Sequence, residues 1–97
     1  MDMIKFEVSD VATAISVLES SLKREKFLLE RSISKTKKKL KAFEESKCIR
    51  SEEFFEKFER GLAGDDQDTM VWAAEYEALR LLEREYIAIE RMLNQCG

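Results

Sequence analysis

The residues that could do chemistry in this chain are serines, lysines and carboxylates, because the sequence contains no histidine. That absence removes the usual general base, the Ser-His-Asp and Cys-His arrangements and the commonest nitrogen ligand of metals. Serine–lysine chemistry needs no histidine, but Ser32, Ser34 and Lys35 fall on a predicted solvated helix with no visible oxyanion hole. We therefore predict no catalytic residue and no cofactor, and we expect that the chain is not an enzyme.

Three aspartates, Asp65, Asp66 and Asp68, follow a glycine and could be interpreted as calcium ligands. An EF-hand loop needs an oxygen ligand at its fifth position and a glycine at its sixth. Counted from Asp66, those positions hold Met70 and Val71, so the match fails. The acids instead suit the positive end of the helix that we predict to begin here.

Glutamates of the last third of the chain could serve a metal-dependent helical nucleotide hydrolase. Such enzymes hold clustered carboxylates inward on facing helices. Here the carboxylates alternate with an apolar stripe and are predicted to face outward. A hydrolase remains an alternative function, and it predicts thermal stabilisation by Mg²⁺ or Mn²⁺. The residues concerned are Glu75, Glu77, Glu83 and Glu85.

A basic run places five lysines within seven residues. Contacts of lysine with nucleic-acid phosphates would be salt-sensitive and independent of sequence. The run contains no arginine for base reading and no aromatic residue for stacking, and its side chains are predicted to point around the helix. We favour attraction to the acidic half of the chain, or solubility, and keep a nucleic-acid-associated coiled coil as an alternative. The candidate basic patch is Lys35, Lys37, Lys38, Lys39 and Lys41.

Most of the aromatic residues gather around the predicted turn. In a thin hairpin we expect that they cannot all be buried, so this end is the leading candidate for a partner-binding surface. A local aromatic core is the alternative interpretation. The candidate partner-binding residues are Phe54, Phe55, Phe58, Trp72 and Tyr76.

The distribution of glycine and proline predicts the elements that position these residues. The chain has no proline, and two of its three glycines, Gly61 and Gly64, lie close together. Because both residue types interrupt helices, we predict long helices at 10–47 and 66–95, joined through a short helix at 51–60. Residues 3–8 alternate in polarity and predict a short strand or an extended lead-in. The fold class is all-α: a single helical domain, 1–97, forming a long antiparallel, coiled-coil-like hairpin.

The apolar stripes of the two long helices predict one buried seam between them. The first helix carries Glu25, Ser32 and Thr36 on its stripe, so we expect its second half to pack loosely or to face a partner. The last helix has apolar residues beyond one seam, which predicts homodimerisation into a four-helix bundle. The predicted seam contains Leu18, Leu22, Leu29, Leu79, Leu82, Tyr86 and Ile89.

Composition and charge favour the same architecture. Apolar residues make up 44% of the chain and charged residues 38%, a mixture typical of long amphipathic helices. Residues 1–50 hold 12 basic and 8 acidic residues (+4), whereas residues 51–97 hold 5 and 12 (−7). Folding the chain back places a basic arm beside an acidic one, so we assign most of this asymmetry to pairing within the protein.

The cysteines and the hydropathy pattern bear on the compartment. In an antiparallel hairpin Cys48 lies at the turn and Cys96 roughly 40 Å away, too far for a disulfide. Two unpaired thiols favour a reducing, cytoplasmic setting. No stretch approaches the apolar length of a membrane span, and the beginning of the chain shows no signal-peptide pattern, so we predict neither.

Residues 51–77 resemble a segment of small archaeal and cyanobacterial helical proteins. In that segment a phenylalanine-bearing short helix ends in glycine, an acidic Gly-Asp-Asp corner follows, and a tryptophan-bearing helix begins. The lead-in at 4–8 before a long charged helix is also similar. Some such proteins are suspected antitoxin-like partners of a toxin, so the resemblance implies a non-enzymatic protein-interaction module and carries over no active-site residue. The matching positions are Phe54, Phe58, Gly61, Gly64, Asp65, Asp68 and Trp72.

Overall fold

The computed structural model describes residues 10–96, with side chains to residue 95. It contains α1 (Val11–Lys47), α2 (Ser51–Glu59) and α3 (Gln67–Cys96). Helix α1 packs along α3, and the shorter α2 contacts both, in a molecule of 58 × 29 × 18 Å. The predicted all-α hairpin with a short connecting helix is confirmed. The predicted strand or lead-in at residues 3–8 lies outside the described residues.

Left-handed backbone conformations end the first two helices. Helix α1 ends at Cys48, which has a φ of 56°. After α2, Gly61 (φ 74°) donates its N–H to the Phe58 carbonyl at 3.0 Å, and Leu62 donates to the Lys57 carbonyl at 2.9 Å. These two bonds form a Schellman motif, which confirms the predicted role of Gly61. The side chain of Leu62, the second residue after the helix, is 65% exposed.

The acidic corner caps the start of α3, as predicted. Asp66 immediately precedes the helix and accepts two hydrogen bonds from Thr69: from the hydroxyl at 2.6 Å and from the backbone N–H at 3.3 Å. These bonds stabilise the carboxylate, so they lower the pKa of Asp66 below its ordinary value of 3.8, the hydroxyl contributing most. The corner is thus an N-cap, in which a side chain satisfies a free N–H of the first turn.

The seam between α1 and α3 follows a strict repeat of 3.5 residues, in steps of three and four. This spacing is that of a coiled coil, in which side chains of one helix fit between those of the other. Every seam position in both helices is buried or half-buried. On α1 these positions are Leu22, Lys26, Leu29, Ile33, Thr36, Leu40 and Phe43, and on α3 they are Trp72, Glu75, Leu79, Leu82, Tyr86, Ile89 and Leu93.

Polar residues hold two seam positions of α1, which corrects the expected packing of this helix. Thr36 is buried, whereas Glu25 and Ser32 are exposed beside the seam. The stem of Lys26 lies along the seam, and its ammonium reaches the Glu90 carboxylate at 3.6 Å. The prediction that the second half of α1 packs loosely is therefore wrong, because the buried residues of α1 all lie at or beyond Leu29.

The predicted burial of Leu18 is also wrong, since this side chain is 50% exposed. The ion pairs Lys26–Glu90 and Lys39–Glu75 show the antiparallel register of α1 against α3. Because the helices run antiparallel, the start of α1 lies beside the end of α3. Leu18 lies beyond that end, so α3 does not cover it. The other predicted seam residues, Leu22, Leu29, Leu79, Leu82, Tyr86 and Ile89, are buried or half-buried.

Candidate partner-binding surfaces

The predicted aromatic surface is a core in the structure. Trp72 is 3% exposed and stacks on Phe54, with ring centroids 3.7 Å apart and planes inclined by 5°. It also stacks on Phe43 of α1 at 5.5 Å. Aromatic side chains from all three helices therefore meet at the turn end, and their burial holds α2 against the long helices.

The remaining rings extend this core along α3. Phe55 is buried and lies 4.9 Å from the Tyr76 ring, with the Arg80 guanidinium 5.9 Å from its centroid. Phe58, half-buried, contacts both Phe54 and Phe55 at centroid distances of about 6 Å.

Burial thus favours the alternative interpretation of these residues, a local aromatic core. Phe54, Phe55 and Trp72 are buried, and Phe58 and Tyr76 are half-buried. Sequence alone could not show that α2 folds over the turn and covers them. Binding of a partner by these five rings stays a prediction. It was based on the expectation that some of the rings are exposed, and in the structure all five are buried or half-buried.

A polar chain through Ser51 joins the three helices beneath the aromatic core. The buried indole N–H of Trp72 donates to the Ser51 hydroxyl at 2.9 Å. The backbone N–H of Ser51 donates to the Glu44 carboxylate of α1 at 2.8 Å, so a side chain of one helix caps the start of the next. Ser51 begins the predicted short helix at 51–60, but nothing in the spacing of the sequence indicates its bond to Trp72.

The lysine run divides between two sides of α1. Lys39 forms an ion pair with Glu75 of α3 at 3.3 Å, as attraction to the acidic arm predicts. Lys37, Lys38 and Lys41 instead border one side of a groove between α1 and α3, while Lys35 lies outside that groove. The lysine side chains do point to different sides of α1, as predicted. The prediction did not include that three of the five lysines lie along one edge of the groove.

This groove has a volume of about 610 Å³ and an apolar floor. Ile33 and Tyr86 form the half-buried part of the floor, and Ile87 is 48% exposed. Its polar edge carries the three lysines together with Ser34, Glu30 and Glu83.

The groove continues the side of the hairpin on which α2 packs. On α3, Tyr76 and Arg80 contact Phe55 of α2, and Glu83 and Ile87 follow them on the same helix face at spacings of three and four. On α1, Glu44 caps α2, and Lys41, Lys37, Ser34 and Glu30 follow it at the same spacings. Since α2 ends at Glu59, the groove is the uncovered continuation of the position that α2 fills.

The alternative of a metal-dependent hydrolase rests on the glutamates of α3. Among residues 10–95, no three or more cysteine, aspartate or glutamate side chains gather closely enough to hold a metal ion. Glu75 is engaged with Lys39 across the seam, and Glu83 lies at the groove edge.

None of the helices in the described part of the chain is both long and apolar enough to cross a membrane. Comparison of the chain with protein-family models, with curated proteins and with solved structures finds no match.

Proposed function

We propose that this chain is a non-enzymatic protein-interaction module that holds an amphipathic helix of a partner protein in the groove between α1 and α3. The observation that carries the proposal is the position of the groove: it prolongs the site in which α2 already packs as a third helix. Binding of an amphipathic helix through its apolar face is a common mode of peptide recognition.

Helix α2 supports the chemistry of the proposed occupant. It packs phenylalanines between the long helices, and the other side chains of Ser51–Glu59 are mostly acidic. The groove is suited to a similar helix, because its apolar floor of Ile33, Tyr86 and Ile87 lies beside lysines. From Glu30 to Lys41 it spans about 16 Å of α1, the length of about three helical turns.

The charges of the groove favour an acidic partner helix. Lys37, Lys38 and Lys41 line the α1 edge, against Glu30 and Glu83 at the end farther from the turn. Acidic side chains on the partner, placed toward the turn, would face the three lysines. Such pairs at a solvated edge mainly direct orientation and association rate, whereas contact with the apolar floor supplies most of the affinity.

An antitoxin-like role is the narrower form of this proposal, in which the bound helix belongs to a toxin. It is motivated by the resemblance of residues 51–77. Homodimerisation is compatible with it, since a second copy can pair through a different face. We also propose a cytoplasmic location, on the exposed, unpaired thiol of Cys48.

The test is binding of a labelled helical peptide of about 18 residues, with leucines at helical spacing and flanking glutamates. We expect saturable binding, measured by fluorescence anisotropy. A peptide with lysines in place of the glutamates should bind at least about tenfold more weakly. Ile87→Asp should abolish binding, because it places a carboxylate on the apolar floor.

Matched variants separate the groove from general effects of charge. Lys37→Glu with Lys41→Glu should weaken binding, whereas Lys35→Glu with Lys57→Glu makes the same change in net charge outside the groove and should have little effect. Leu28→Asp is the control for Ile87→Asp, because the side chains of Leu28 and Ile87 are both about half exposed. Equal effects of the paired variants, or tight binding of single-stranded nucleic acid that weakens steeply with salt, would contradict the proposal.

A further inference from the structure

The outer face of α3 carries an exposed apolar stripe that neither the seam nor α2 uses. We define it by Met70, Ala74, Leu81, Ala88 and Met92, all of them exposed. The three large side chains are 50%, 57% and 43% exposed, for Met70, Leu81 and Met92 respectively. Steps of four and seven residues keep all five on one side of the helix.

This face lies outside the seam with α1 and beside the side of α3 that carries α2, where Leu81 borders a pocket shared with Phe55 and Glu59. The seam positions toward α1 include Leu79, Leu82 and Ile89, which are buried or half-buried. The contacts with α2 are made by Trp72, Tyr76 and Arg80. The outer face falls on neither set, so α3 has room for a third neighbouring helix.

The stripe is symmetric about Leu81. Met70 and Met92 lie eleven residues on either side of it, and Ala74 and Ala88 lie seven on either side. If a second α3 runs antiparallel with Leu81 on the two-fold axis, Met70 of each copy faces Met92 of the other. Ala74 of each copy likewise faces Ala88 of the other, which lets the helices approach closely between the larger side chains.

The charges beside the stripe are self-complementary in the same arrangement. Glu77 and Arg84 both border Leu81 on the side toward α2. In the antiparallel pairing, Glu77 lies opposite Arg84 of the second copy, and Arg84 lies opposite Glu77 of the second copy. A parallel two-fold pairing would instead place Glu77 and Arg84 of the second copy on the opposite side of the interface, so neither pair would form.

We infer that the outer face of α3 is a homodimer interface, occupied by the same face of a second copy in an antiparallel, two-fold arrangement centred on Leu81. A two-fold interface requires that each contact between two residues be made twice, and this stripe meets that condition at every position. The groove between α1 and α3 lies on another side of α3, so both surfaces can be occupied together.

The test is the molar mass in solution, measured by light scattering over a concentration series, for the full chain and for Leu81→Glu. We expect the full chain to approach twice 11.3 kDa. Leu81→Glu places two carboxylates on the two-fold axis and should give a monomer with unchanged helical circular dichroism. Leu28→Glu, at an exposed leucine of α1, should remain dimeric.

Charge exchange tests the orientation. Glu77→Arg and Arg84→Glu should each weaken the dimer, and the double variant should restore it, because the two pairs re-form with opposite polarity. A monomer at every concentration, a dimer that Leu81→Glu leaves intact, or a double variant weaker than both single ones would overturn the inference. Peptide binding in the groove should survive Leu81→Glu, so failure of one proposal is distinguishable from failure of the other.

Discussion

The indole N–H of Trp72 donates a 2.9 Å hydrogen bond to the hydroxyl oxygen of Ser51, the first residue of α2. Both residues are 3% exposed. Because the backbone N–H of Ser51 is held by Glu44 of α1, this one serine joins the three helices. Together with the stacking of Phe54 on Trp72, the bond holds α2 in place, and the position of α2 in turn defines where the groove begins.

Ser51→Ala should lower the free energy of unfolding by about 1–3 kcal/mol, because it leaves the buried N–H of Trp72 without an acceptor. The bond from the Ser51 backbone to Glu44 is unaffected by this substitution. The measurement is chemical denaturation followed by far-ultraviolet circular dichroism.

Trp72→Phe provides the control, since it removes the donor while keeping an aromatic ring at this position. In the Trp72→Phe background, Ser51→Ala should cost measurably less than in the native chain. An equal cost in both backgrounds would show that the hydrogen bond contributes nothing to stability.

Substitution of two leucines of α1 should distinguish the buried seam from its uncovered end. Leu29→Ala should cost about 2–5 kcal/mol, as Leu29 is 4% exposed and its loss leaves a cavity. Leu18→Ala should cost less than about 1 kcal/mol, because half of this side chain is exposed. Thermal unfolding of both variants checks this, and similar losses would mean that another helix covers Leu18.

The left-handed positions that end α1 and α2 should respond to substitution in opposite directions. Gly61→Ala should destabilise by about 1–2 kcal/mol through the backbone alone, since an added Cβ meets no atom within 4 Å. Cys48→Gly should stabilise by up to about 1 kcal/mol, because glycine adopts a positive φ without the cost of a side chain. Changes of the same sign in denaturation experiments would contradict this assignment.

Asp66 should make the stability of the folded chain depend on pH in the acid range. Its pKa is lowered in the folded chain, so as pH falls below about 3.8 the unfolded chain takes up a proton first. The stabilisation is therefore present above the ordinary pKa and is lost as pH falls toward the lowered one. Asp66→Asn keeps an acceptor for Thr69 but does not titrate.

Melting temperatures of the native chain and of Asp66→Asn, measured from pH 6 to pH 2, test this linkage. The advantage of the native chain over the variant should shrink below pH 3.8. A difference that stays constant across this range would show that the cap does not depend on the charge of Asp66.

The boundaries of the helices could be predicted because local chemistry sets them. Gly61 ends α2 through its positive φ, and Asp66 begins α3 through its carboxylate. The left-handed end of α1 at Cys48 could not be foreseen, since the residue type does not favour that conformation.

The seam could be predicted only in part, because its repeat includes polar residues. Lys26 and Thr36 occupy seam positions of α1, and a search for apolar side chains passes over both. The exposure of Leu18 depends on where the partner helix ends, which is a property of the register and not of the residue.

The candidate site could be predicted least, because it depends on the placement of α2. Covering the turn with α2 converts Trp72 and Phe55 from expected surface into core. The same placement leaves the groove beyond Glu59 uncovered, with Lys37 and Ile87 on opposite sides.

The most direct test of the proposed function is a map of backbone amide chemical shifts of the isotopically labelled chain, recorded with increasing amounts of the acidic amphipathic peptide. If a partner helix binds in the groove, saturable shifts are expected at Ile33, Lys37, Glu83 and Ile87, with the amides of the outer face of α3 unchanged. Absence of shifts at these positions, or shifts confined to Val11, Ile15 and Leu18 at the uncovered start of α1, would contradict it.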